Sequence, residues 1–145
     1  MRISQVDLQI EDIRWFGIDC NNRIFECTSA GIANVPEFVC KSKEETIMLE
    51  KFFEEILGEL GNAKVLVDVN NINPLLEYCI NLAKKGIFCF DIINYNSNNY
   101  IKVVEPTIEI FYSDLPEQIK KVLRDHFVLS ADVKKDKILY VEHAY

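Results

Sequence analysis

Residues Ile87–Ile93 read Ile-Phe-Cys-Phe-Asp-Ile-Ile, follow Gly86, and are apolar at every position except Asp91. β-Branched and aromatic residues in unbroken succession, with no apolar/polar alternation, describe a central strand covered on both faces. Such a strand needs neighbours at its edges and packed layers above and below. The 145 residues, 49% of them hydrophobic and 27% charged, are enough to supply those layers in one globular domain. No internal repeat, low-complexity tract or linker divides the chain, so one domain over 1–145 is expected.

The flanking sequence supplies both strands and helices. Val6–Ile10 alternates Val6, Leu8 and Ile10 against Asp7 and Gln9, which suggests a strand, although Val6, Ile10 and Ile13 also fit one helical face. Arg14–Asp19 and Arg23–Thr28 flank Asn21–Asn22 and read as a hairpin. With those two asparagines as its loop, Phe16, Ile18, Phe25 and Cys27 share one face, and Trp15, Gly17, Ile24 and Glu26 the other. Ser42, with Glu45 three residues on, opens a helix. Its apolar stripe is Ile47, Met48, Phe52, Phe53, Ile56, Leu57 and Leu60, and Gly61 ends it.

Ala63–Val69 alternates as a strand with one wet face. Asn73-Pro74 starts a helix that runs to Lys85 and stops at Gly86. After the central strand, Asn94–Asn99 reads as a turn into Tyr100–Glu105, and Pro106 precedes a short apolar run, Ile108–Tyr112. Asp114 and Glu117 repeat the capping spacing, with Pro116 inside the first turn of a helix to about Asp125. Phe127–Leu129 and Ile138–Val141 are strand-like and are separated by the charged turn Lys134–Lys137. The sum is an α+β fold: an antiparallel or mixed sheet with about three helices packed against it.

Charge and cysteine usage narrow the partners. The formal net charge is −7, and the basic residues cluster only as the pairs Lys84–Lys85, Lys120–Lys121 and Lys134–Lys135. Nucleic-acid binding is therefore not expected. No apolar stretch is long enough to span a bilayer, and Met1–Glu11 has no signal-peptide core. Cys20, Cys27, Cys40, Cys79 and Cys89 are odd in number and lack CxxC spacing, which fits reduced thiols in a cytoplasmic protein.

The residue types able to carry chemistry do not form a motif. His126 follows a helix C-terminus, where the dipole favours it, and His143 lies near the chain end. Cys20 and Cys27 lack the second close pair that structural zinc usually requires. Asp19–Arg23 lacks the glycine and closing glutamate of a calcium loop, and Thr28–Gly31 lacks the lysine of a phosphate cradle. Glu105 and Glu109 are read as a solvated edge. No catalytic, cofactor or metal residue is assigned. Trp15 is either core or, if exposed, a binding anchor; burial is the usual state of tryptophan. Glu50, Glu54, Glu55 and Glu59 line the wet face of the Ser42 helix and are the best candidates for a partner contact.

The hairpin Trp15-Phe16-Gly17-Ile18-Asp19 is followed by Ile24-Phe25-Glu26, Ser29-Ala30-Gly31 and Val35-Pro36. Further on come Gly86-Ile87-Phe88-Cys89-Phe90-Asp91, then Pro106, and Asp114-Leu115-Pro116-Glu117. This succession resembles a group of short, poorly characterised bacterial proteins, some of them similar to the immunity partners of polymorphic toxins. The chain departs from that pattern at Asn21-Asn22, where a glycine-containing pair is commoner. The resemblance implies a non-catalytic protein that binds a partner such as a basic toxin, to which an acidic surface is complementary. Two other expectations stand beside it. One is a small-ligand or enzymatic domain with a site assembled from scattered residues. The other is an oligomeric accessory domain pairing through an open edge beside Ile87–Ile93 or Ile138–Val141.

Overall fold

The structure is a computed structural model and describes residues 1–68, 74–93 and 96–145. The expected helix cap at Asn73, the end of the alternating run at Val69, and Asn94 and Tyr95 of the expected turn lie outside the described residues. Among the described residues there are five α-helices: α1 (Gln5–Ile10), α2 (Glu37–Cys40), α3 (Lys43–Lys51), α4 (Pro74–Lys84) and α5 (Glu117–Leu123). Six strands accompany them: β1 (Arg14–Ile18), β2 (Ile24–Thr28), β3 (Ala63–Val65), β4 (Phe88–Ile93), β5 (Asn96–Pro106) and β6 (Ile138–Tyr140).

The strands form one mixed sheet in the order β1-β2-β4-β5-β3, with β6 also paired to β5. β2 and β4 are parallel, and every other pairing is antiparallel. The expected α+β class with a mixed sheet is the observed one. β4 lies between β2 and β5, and both of its faces are buried, as its composition requires. Ile87 and Cys89 pack with Phe16, Ile18 and Ile24 under Leu49, Phe53, Cys79, Leu82, Ile119 and Leu123 from α3, the turn after it, α4 and α5. On the opposite face, Phe88 and Phe90 join Trp15, Phe25, Cys27 and Tyr100 under Leu8, Val39, Ala131, Val133 and Leu139. The crossover from β2 to β4 closes at Gly86, whose φ of 98° ends α4. A Cβ there would meet the backbone nitrogen of Ile110 at 2.5 Å, so only glycine fits.

The hairpin forms, but one residue out of the expected register. Ile18 pairs with Ile24 and Phe16 with Glu26, so Phe16, Ile18, Ile24 and Glu26 share one face, and Trp15, Gly17, Phe25 and Cys27 the other. The loop is Cys20–Asn22 rather than two asparagines, with Asn22 left-handed at φ 66°. A one-residue change in loop length turns every side chain of one strand over. Asp19 explains the choice. Its Oδ1 accepts the amides of Asn21 at 2.9 Å and Arg23 at 2.8 Å, and its Oδ2 accepts that of Val133 at 2.9 Å. A fully buried carboxylate thereby fixes the turn and the C-terminal segment together.

Three further expectations are corrected. Residues 5–10 are helical, because Ser4 Oγ accepts the amide of Asp7 while Asp7 Oδ2 accepts that of Ser4. That reciprocal cap outweighs a five-residue alternation. The Ser42 helix is capped as expected, with Glu45 N–H donating to Ser42 Oγ at 3.2 Å. It gives way after Lys51 to a π-helical turn, Phe52–Ile56, and ends before Leu57. Lys85 Nζ donates to the carbonyls of Phe53 (2.7 Å) and Glu54 (2.6 Å), supplying a partner for carbonyls at this helix end. Of the expected stripe, Phe52 and Phe53 are buried, while Ile47, Met48, Ile56 and Leu60 are exposed. Asp114 caps a 3-10 turn by accepting the amide of Phe111, and α5 starts two residues after Leu115, with Pro116 as its N-cap residue.

Replacing Asp19 by alanine strips three amides of their acceptor and is expected to cost about 3 kcal/mol, read as a lower urea midpoint at unchanged slope.

Candidate functional site

The hairpin register places Glu26 on the face of the sheet that α3 and α4 cover. Its neighbour across the parallel pair is Cys89, and Cys79 of α4 lies above them. One Glu26 oxygen, the Cys79 sulfur and the Cys89 sulfur all lie within 4.8 Å of one another, and all three residues are buried. Thr28 Oγ1 donates to Glu26 Oε1 at 2.6 Å, whereas Oε2 has no hydrogen-bond partner among the described residues. Cys89 Sγ points to the carbonyl of Cys79 at 3.5 Å. Burial pushes the Glu26 carboxyl and the Cys89 thiol well above their ordinary ranges.

Polar groups continue outward from this point. Arg14 is the register partner of Thr28 at the carboxyl end of the parallel pair β2–β4. Its guanidinium lies 3.9 Å from the centre of the Tyr78 ring. Glu50 and Glu54 each approach Arg14 Nη1 at 3.6 Å. Tyr78 has a buried hydroxyl without a partner among the described residues. Burial raises the proton affinity of Glu50, Tyr78 and Asp91, reinforced at Glu50 by the like charge of Glu54 and at Tyr78 by Glu26. The arrangement can hold a cation near its buried end and neutralise an anion at Arg14. It brings no imidazole to these carboxylates.

The residues singled out from the sequence divide between core and surface. Trp15 is 1% exposed, with Nε1–H donating to Tyr100 Oη at 3.2 Å and edge-on rings of Phe25, Phe38 and Tyr100 around it. It is core, and it contributes only to the floor of a groove of about 890 Å³ rimmed by Leu129, Tyr140 and His143. Glu50 and Glu54 are drawn to Arg14. Glu55 and Glu59 stay exposed with no salt bridge among the described residues, and Glu59 lies beyond the end of the helix. Glu105 pairs with Lys102 and Lys64, and Glu109 with Arg23 and Lys134. They are therefore two partly buried ion-pair centres rather than one solvated edge.

His126 is buried, and its Nδ1–H donates to the Phe16 carbonyl at 2.8 Å, while Nε2 has no partner among the described residues. No thiol or carboxylate among the described residues is hydrogen-bonded to its ring. His143 Nδ1 accepts the amide of Val35 at 3.1 Å, so the end of the chain is tied to the fold rather than free. Sequence reasoning missed the convergence of Glu26, Cys79 and Cys89. Its one local signal is a charged residue alternating into a buried face. No family model, curated protein or solved structure matches the chain.

Burial lowers the His126 pKa from 6.5 to about 4. The unfolded chain takes up this proton first, so the neutral ring's contribution is complete above about pH 6.5 and is lost as pH falls toward 4. The histidine ring resonances should show one imidazole titrating near pH 4. His126→Asn should lack the part of the acid destabilisation, on the order of 3 kcal/mol, that this ring causes.

Proposed function

We propose that the chain is a non-catalytic protein-binding domain of the toxin-immunity kind, acting in the cytosol on a basic partner. The observation that supports this most is the edge at β3. β3 ends the strand order, so no described strand pairs with its outer side. The segment around it exposes Leu60, Leu66, Val67 and Ile108. Glu55 and Glu59 lead into it, both exposed. An edge with no described strand on its outer side, apolar side chains and flanking carboxylates suits a partner that adds a strand and brings basic residues. Apolar area holds such a complex, while the carboxylates speed encounter and select the partner.

Five unpaired cysteines are compatible with a reducing compartment. Among the described residues no helix is long and apolar enough to cross a membrane. The oligomeric alternative finds no edge at β4, which is paired on both sides. A small-ligand or enzymatic reading is favoured by one observation, the carboxyl groups of raised proton affinity, Glu26 and Glu50, that act on Arg14. It differs in what the purified protein retains.

Affinity purification from the native cell at low and moderate salt, followed by binding kinetics with the recovered partner, tests the proposal. A basic protein whose association slows as salt rises is expected. Glu55→Lys combined with Glu59→Lys should slow association by roughly tenfold at low salt, and Leu66→Asp should speed dissociation. Glu142→Lys, away from this edge, should change neither rate by more than roughly twofold. A salt-independent partner, or a tightly retained small molecule and no protein, would count against it.

A further inference from the structure

Glu26, Cys79 and Cys89 come from β2, α4 and β4, far apart in the chain, and meet beside the apolar core under α3 and α4, with Thr28 hydrogen-bonded to Glu26. A core that needed only volume there would be served by valine or leucine. A buried carboxylate oxygen without a partner carries a desolvation cost that no hydrogen bond among the described residues offsets. Two sulfurs lie within 4.8 Å of one oxygen of that same carboxylate and supply the donors that a thiophilic cation prefers.

We propose that Glu26, Cys79 and Cys89 supply three of the four ligands of a structural site for one thiophilic divalent cation of the zinc class.

The geometry needs little adjustment. Zinc–sulfur and zinc–oxygen bonds of roughly 2.3 and 2.0–2.2 Å put tetrahedral ligand atoms roughly 3.5–3.8 Å apart. The three donor atoms lie within 4.8 Å of one another, so closure asks each for a movement on the order of an ångström. The surroundings fit as well. Thr28 Oγ1 holds Glu26 Oε1 at 2.6 Å and leaves Oε2 available, the outer support that a ligating carboxylate ordinarily has. Two thiolates, one carboxylate and a divalent cation sum to −1. The field of Arg14 acts on Glu26 and supplies the compensating positive charge. Binding releases the protons of both thiols and of the carboxyl to solvent, with no change of oxidation state. Full burial of all three residues means that the cation enters as the chain folds and then supports the fold, as structural zinc does. This site stands independently of the partner-binding edge.

The experiment uses the full chain, unfolded with chelator under reducing conditions and refolded with cobalt(II) alone as the probe. One equivalent of cobalt should give intense thiolate-to-metal absorption in the near ultraviolet and the visible bands of a tetrahedral centre, and zinc should displace it. Cys79→Ala and Cys89→Ala should each remove about half of the charge-transfer intensity, since each deletes one of two thiolates. Cys27→Ala and Cys40→Ala, at buried thiols outside the cluster, should leave the spectrum unchanged. If a ligand variant fails to fold, the near-isosteric Glu26→Gln remains decisive. It keeps both thiols, and its cobalt affinity should fall by about tenfold or more. Absence of a thiolate–cobalt band in the refolded wild type, its persistence without Cys79 and Cys89, or unchanged affinity in Glu26→Gln would each overturn the proposal and leave a protonated carboxyl packed beside two core thiols.

Discussion

Strand β4 can satisfy its backbone and bury both faces only if a strand lines each edge and packed side chains cover each surface. β2 and β5 provide the edges. The parallel pairing with β2 forces a crossover, which runs through α2, α3 and β3 and ends in α4 with its glycine stop at Gly86. α3, α4 and α5 then cover one face, while α1, α2 and the C-terminal segment cover the other. Each layer is small, but a fully buried leucine or phenylalanine contributes roughly 1.5–3 kcal/mol, so the two cores together outweigh what either could supply. This is why neither terminus can be loose. Ile3 belongs to the second core and donates its amide to the Cys40 carbonyl, Ala144 donates to the Val35 carbonyl, and Tyr145 Oη donates to the Ile3 carbonyl.

Burial on both sides leaves polar groups inside, and the fold compensates most of them with backbone rather than with opposite charge. Lys102 Nζ donates to the carbonyls of Val133 and Lys134, Lys85 Nζ to those of Phe53 and Glu54, and Asp19 accepts three amides. In each case a long-range side chain fixes a segment that has no regular partner of its own: the tail before β6, the π-helical end of α3, and the hairpin loop. Replacing such a group by an apolar one loses both the bond and the segment's position. Glu26 departs from this pattern, since only one of its oxygens is satisfied.

The legible parts of the sequence were those whose signal is local and strong. The unbroken apolar run of β4, the Ser42 cap and the Gly86 stop each act within a few residues, and each lies where the pattern puts it. The hairpin is legible as a hairpin, but its register depends on the Asp19 carboxylate reaching Val133, a contact 114 residues away. No periodicity encodes that reach. The Ser42 helix misleads because Ile56 and Leu60 continue a helical spacing past the point where Lys85, from another element, draws the carbonyls of Phe53 and Glu54 into a wider turn. The site is less legible still. Glu26 reads as one of the residues that share a hairpin face with Trp15, Gly17 and Ile24, and Cys79 and Cys89 read as small core residues. Only the parallel register of β2 with β4, set by the crossover, brings them together.

The β3 edge and the Glu26 cluster differ in how they relate to stability. The β3 edge lies at the periphery, where exposed Leu60, Leu66 and Val67 contribute little to the cores and a change of side chain alters surface chemistry without altering the fold. The Glu26 cluster lies in the middle of the sheet, beside the pairing on which the crossover depends. A buried carboxyl at that point either is carried as a cost or is converted into a stabilising interaction by something that binds there. Natural cores rarely keep an uncompensated polar oxygen where an apolar residue of similar volume would serve. Arg14 acts on Glu26 through its field but makes no salt bridge to it, whereas two sulfurs lie within 4.8 Å of one of its oxygens, and sulfur donors suit a soft cation better than a hard one.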